Sequence, residues 1–156
     1  MQEKKIITFK QAVQNTPDVS DKYCAGLGAF GRYAIKIRVP NPSKIEGSLD
    51  IDSATKDIYP EENRWDYAMC YDGEVFYIEI HPATTTEIAK MIKKLEWIKR
   101  WLSLKAPKIN KLTTKTKNPY HWVQSANFDI PKHTLQYKAL IKYKIIPKSV
   151  WNYNTL

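Results

Sequence analysis

The stretch Trp65-Asp66-Tyr67-Ala68-Met69-Cys70-Tyr71-Asp72-Gly73-Glu74-Val75-Phe76-Tyr77-Ile78-Glu79-Ile80-His81 decides the architecture. Two runs rich in aromatic and β-branched residues are separated by Asp-Gly, a strong signal for a two-residue hairpin turn. Such a turn sets the register: Tyr71 faces Glu74, Cys70 faces Val75, Ala68 faces Tyr77, Asp66 faces Glu79 and Arg64 faces His81. Cross-strand partners and every second residue share a face. One face is therefore Asp66, Ala68, Cys70, Val75, Tyr77, Glu79 and His81; the other is Trp65, Tyr67, Met69, Phe76, Ile78 and Ile80. Both are largely apolar, which predicts central strands covered on both sides.

Working outward, Pro82 ends the second strand, and Thr84, Thr85 or Thr86 caps a helix to about Leu104 with an apolar stripe of Ile88, Met91, Ile92, Leu95, Ile98 and Leu102. Tyr120 to Ser125 reads as a strand, Pro131 opens a helix to about Tyr143, and Ile145-Ile146 reads as a last short strand. Upstream, Thr8 caps a helix over Phe9–Gln14, Arg32 to Val39 alternates as a strand, Ser43 and Glu46 resemble a capping box, and a short helix follows Asp52 from Ser53 to Ile58. The expected fold class is α/β (α+β): a mixed central sheet with a β-hairpin, flanked by helices, in one domain over residues 1–156 with its core at about 32–146.

The composition, 43% hydrophobic and 12% aromatic, excludes a disordered chain. No apolar run reaches the ~18 residues of a membrane span, and Met1 to Thr8 has no leader pattern. Two cysteines, Cys24 and Cys70, make no disulfide framework, so a cytoplasmic protein is expected. The formal charge of +9 is uneven: residues 1–87 hold 10 Lys/Arg and 14 Asp/Glu, whereas 88–156 hold 15 Lys/Arg against only Glu96 and Asp129. That asymmetry points to a polyanion partner, nucleic acid first; solubility is the plainer explanation. Gly26-Leu27-Gly28-Ala29-Phe30-Gly31 spells a dinucleotide fingerprint, but no strand precedes it and no helix follows, so it reads as a loop. His121 and His133 have no partner at metal-ligand spacing and read as structural.

Asp66 opposite Glu79 is costly, because facing carboxylates repel and burial adds to the penalty. A divalent cation would relieve it, since Mg²⁺ or Mn²⁺ takes a few carboxylate oxygens and keeps places for water and phosphate. A salt bridge to Arg64 or a lysine at a frayed strand end would also do so. Asp66, twelve residues, then Glu79-Ile80-His81, followed by a helix and a strand, resembles the metal-binding core of the PD-(D/E)XK nuclease superfamily, over about Glu46 to Ser125. The resemblance implies a restriction-endonuclease-like core and a metal-dependent nuclease, with Asp66 and Glu79 as metal ligands and the Ile80 carbonyl as a further one. It makes Glu46 the candidate upstream acid, with Asp50 and Asp52 as rivals.

Two positions depart from that pattern: Trp65 precedes Asp66 where proline is usual, and His81 stands where lysine is usual. Lysine there steadies the attacking water and the developing charge. His81 would bind metal, act as a base or mark lost activity. The catalytic lysine sometimes moves to the following helix in this superfamily, which makes Lys90 and Lys94 candidates. Glu87, one turn earlier, belongs near them, and Trp97 and Trp101 continue their stripe as packing residues. Lys90, Lys93, Lys94 and Arg100 are the expected phosphate contacts. The alternatives are a catalytically inactive nuclease-fold module that binds nucleic acid or protein, and an intracellular inhibitor-type interaction protein. With no separate recognition domain, specificity would come from a homodimer or a partner protein.

Overall fold

A computed structural model describes residues 7–156; the reading of Met1 to Thr8 as leader-free falls mostly outside it. The regular elements in chain order are α1 (Phe9–Gln14), β1 (Ile37–Arg38), β2 (Ile45–Asp50), α2 (Ile51–Thr55), β3 (Tyr67–Tyr71), β4 (Glu74–His81), α3 (Ile88–Leu104), α4 (Pro107–Asn110), β5 (Tyr120–Gln124), α5 (Leu135–Tyr143) and β6 (Trp151–Asn152). The main sheet runs β2-β3-β4-β5; β2, β3 and β4 are antiparallel and β5 is parallel to β4. The fold is thus α+β, a mixed four-stranded sheet with helices packed on it, the coarse architecture expected.

The hairpin register is as expected, from Tyr71↔Glu74 to Tyr67↔Ile78. Asp72 and Gly73 both have positive φ, 50° and 80°, the conformation that lets a two-residue turn follow the strand twist. Both faces are covered. Ala68, Cys70, Val75 and Tyr77 join a core with α1, α3 and α4; Met69, Phe76, Ile78 and Ile80 join a second core with Phe30, Val123 and Trp151. Trp65 corrects the expected face: lying before β3, it packs into the first core, with its indole N–H donated to the Tyr67 carbonyl.

Thr8 caps α1 in a reciprocal box with Gln11. Other boundaries move for identifiable reasons. Residues 45–50 form β2 rather than a helical turn, because Gly47 lets the Tyr23 ring lie where a Cβ would collide with it, and the Tyr23 hydroxyl donates to the Glu46 carbonyl. The alternating run at Arg32 to Val39 is extended only at Ile37–Arg38. Up to Lys36 the run is coiled in 3-10 turns, which follow a kink at Gly31 (φ +55°), and the outer edge of β2 is taken by Cys24 pairing with Ser48. Ile35 is consequently 83% exposed. Asp50 caps α2 through Ser53, so that helix starts at Ile51 rather than Ser53. Thr134 caps α5 at Leu135, leaving Pro131 and exposed His133 in the preceding turn. Ile145-Ile146 is no strand; Lys148 pairs with the β5 edge, and β6 pairs with β1. Among the described residues no helix is long and apolar enough to cross a membrane.

His121 is structural. It is buried on β5, donates Nε2–H to the Asn118 carbonyl at 2.6 Å, and burial pulls its pKa down to about 4. The unfolded chain takes up this proton near pH 6.5 and the folded one does not, so stability falls as pH drops from 6.5 towards 4. The shift corresponds to about 3 kcal/mol at pH 4. Urea unfolding of wild type and His121→Gln at pH 7 and pH 4 should show a smaller acid loss in the variant.

Candidate functional site

Asp66 lies one residue before β3, where the ladder with β4 ends at Tyr67↔Ile78, and Lys94 reaches both its carboxylate and that of Glu79. Its backbone carbonyl accepts from Ile51 N and Asp52 N at 2.8 and 3.3 Å, and its carboxylate Oδ2 accepts from Ile80 N at 3.1 Å. The acid is thereby held against β4. Glu79 is fully buried, so the strand end is not frayed. Lys94 reaches it from α3, with Nζ 2.6 Å from Glu79 Oε1 and 4.0 Å from Asp66 Oδ1.

Lys94 occupies a position that the helix period assigns to the core. Met91, Leu95, Ile98, Trp101 and Leu102 surround it on the buried face, and Lys94 itself is 8% exposed. Such a lysine is tolerated only with a counter-charge. Burial and then Asp66 hold the Glu79 carboxyl well above the usual carboxylate range, against the pull of Lys94. Burial depresses the Lys94 ammonium, but Glu79 and Asp66 outweigh it and leave its pKa raised. One ammonium therefore faces two carboxyl groups. Glu79 Oε2 is buried and has no hydrogen-bond partner.

The other expected site residues divide. His81 lies on the same side, but its Nε2 is 2.6 Å from Glu87 Oε2, which lowers the Glu87 pKa. Lys90, Lys93 and Arg100 are exposed on α3, so Lys90 stays in solvent where Lys94 is buried, although both line the same cleft. Trp97 and Trp101 are stacked and buried, donating their indole N–H groups to Glu62 and Asp18; they are packing residues. Glu46 is a correction. It accepts from Cys70 Sγ and Gly73 N at the turn end of the hairpin, the opposite end from Asp66, and cannot join Asp66 and Glu79 around an ion. Its rivals are nearer: Asp50 and Asp66 are close enough for like-charge repulsion, after burial, to raise the Asp50 pKa, and Asp52 adds to the field on Lys94.

Arg64 does not bridge the acid pair. Its Nε donates to Asp52 at 2.9 Å and its Nη1 to the Tyr59 carbonyl at 2.8 Å, fastening the 59–64 loop beside the site. That loop, with Asp52, Lys90 and Lys94, lines an open polar cleft. Sequence reasoning missed this clamp, which depends on a loop with no periodic signal. The buried ion pair had a signal: a lysine interrupting an apolar stripe. Among the described residues no group of three or more His, Cys, Asp or Glu converges as a ready-made metal cluster. The donor set here is two carboxylates with one orphaned buried oxygen, which fits a hard divalent cation completed by water and phosphate. No protein-family model, curated protein or solved structure matches the chain.

Proposed function

We propose that the chain is a metal-dependent nuclease with a restriction-endonuclease-like core, hydrolysing phosphodiester bonds in DNA or RNA. The observation that carries this reading is the meeting of Asp66, Glu79 and Lys94 beside an open polar cleft, with Glu79 Oε2 buried and unpartnered. The succession of hairpin, helix and parallel strand agrees with the resemblance read from the sequence.

Asp66 and Glu79 would hold Mg²⁺ or Mn²⁺. Such an ion, when bound, supplies Lewis-acid polarisation of a phosphoryl oxygen and a more acidic water. Lys94 stands in the place of the missing strand lysine: its ammonium orients the water and stabilises charge developing on phosphorus-bound oxygen. Ile80 N fixes the Asp66 carboxylate, and Lys90, Lys93 and Arg100 offer exposed cations to flanking phosphates. His81 is engaged by Glu87 and takes no part in this set.

A second reading, a non-catalytic nuclease-fold module binding nucleic acid or protein, is favoured by one observation: Lys94 already neutralises Glu79 without any ion. Incubation with single- and double-stranded DNA and RNA in Mg²⁺ or Mn²⁺ separates the two. Cleavage that disappears in a folded Asp66→Ala protein supports the nuclease. Equal inertness of wild type and variant on all four substrates defeats it.

A further inference from the structure

Between Glu96 and Asp129 the chain has no acidic residue, while Lys99, Arg100, Lys105, Lys108, Lys111, Lys115 and Lys117 fall within that interval. Its second half is not a loose tail. Ile109 is buried, Leu112 packs on the first core, Val75 N donates to the Leu112 carbonyl at 2.8 Å, and Thr114 N donates to the Val75 carbonyl at 3.0 Å. The Thr113 hydroxyl meets the Tyr77 hydroxyl at 2.7 Å, and Thr116 holds Glu74. Between these anchors Lys105, Lys108, Lys111 and Lys115 are exposed. Among the described residues none of the four has a carboxylate within salt-bridge distance.

Charge kept only for solubility intersperses both signs; a rigidly mounted single-sign array makes a field. Its composition, Lys, Thr and Asn with no arginine or exposed aromatic, lacks the anchors that protein interfaces favour. Only Leu104 adds exposed apolar surface beside it, too little for a membrane anchor. Phosphodiester backbone is the polyanion such a surface fits.

We propose that Lys105, Lys108, Lys111 and Lys115 form a second, sequence-independent nucleic-acid contact surface, separate from the carboxylate site. Thr113 pairs with Val75, four residues along β4 from Glu79, or about 13 Å at the strand rise. α4 lies on the same side of the sheet as the site, packed against α3 and α1. One polynucleotide can therefore touch both, which makes the favoured ligand an extended strand rather than a mononucleotide. The surface shares its ligand class with the nuclease reading but needs no hydrolysis.

The test is fluorescence anisotropy in EDTA with labelled mixed-sequence 24-mers, single- and double-stranded, across a NaCl series. The quadruple variant Lys105→Gln, Lys108→Gln, Lys111→Gln, Lys115→Gln is compared with Lys132→Gln, Lys138→Gln, Lys142→Gln, Lys144→Gln, which has the same net charge. The first should lower the slope of log K against log salt by about 3 and weaken binding at least tenfold at moderate salt, with an unchanged melting temperature. The second should do much less. Equal losses in both variants, absence of wild-type binding at low salt, or binding to anionic vesicles or polyglutamate in place of nucleic acid would overturn the proposal. Because EDTA removes divalent ions, binding survives here even if the cleavage test fails, and the two readings stand or fall separately.

Discussion

Lys94→Met is expected to lose about 3–5 kcal/mol of unfolding free energy at pH 7, measured by urea titration. The methionine fills the space, so the loss is electrostatic. It leaves Glu79, fully buried, facing Asp66 with no counter-charge. Glu79→Leu combined with Lys94→Met removes both members of the pair and should recover most of that loss, because an apolar pair of similar volume avoids both desolvation costs. The deficit of Lys94→Met alone has a pH dependence of known sign. Lys94 pulls the Glu79 pKa down against burial and Asp66, so its removal raises that pKa further; the folded variant keeps a proton that the unfolded state releases, and its stability falls more than that of wild type as pH rises above about 4.5. The variant should therefore compare worse with wild type at pH 8 than at pH 5. Millimolar Mn²⁺ should raise its melting temperature, since an ion that binds only the folded protein shifts the equilibrium by mass action.

The second large effect concerns hydrolysis. Asp66→Asn keeps the side-chain shape and an oxygen able to accept from Ile80 N, but removes the charge. It is expected to lower Mn²⁺-dependent cleavage by roughly 10²–10³-fold or more, the scale of removing one electrostatic stabiliser from a preorganised site. Its fold, followed by circular dichroism, should be unchanged. His81→Gln should retain far more activity, because the imidazole is turned to Glu87 rather than to the acid pair. A loss at His81 as large as that at Asp66 would place the imidazole among the catalytic groups, against the geometry.

Legibility followed locality. Asp72-Gly73 makes its turn from its own backbone preferences, and the two-residue turn then carried the register from Tyr71↔Glu74 to Tyr67↔Ile78, one residue short of the acid pair. Thr8 and Gln11 close their box within one turn, so α1 was equally readable. Arg32 to Val39 had a strand's alternation but found no free sheet edge along most of its length, a matter decided by Cys24 and Ser48 far from the run itself. Gly47 looked like a helix terminator because the Tyr23 ring that needs its missing Cβ lies 24 residues earlier. At the site, the acid pair was visible in register and the lysines in sequence. Which lysine enters the core depended on the rotation of α3 against the sheet: Lys94 turned in, Lys90 out. Glu46 was misplaced because, without β2, nothing showed that its strand carries it to the wrong end of the hairpin.

The proposed divalent-cation site at Asp66 and Glu79 is held by the Lys94 ammonium in the absence of an ion. Anomalous diffraction from crystals soaked in Mn²⁺ tests it most directly. A manganese peak is expected at the Asp66 and Glu79 carboxylates, with Glu79 Oε2 no longer unpartnered and the Lys94 ammonium displaced from Glu79 Oε1. No peak there at saturating Mn²⁺, with the Lys94–Glu79 contact intact, would contradict it.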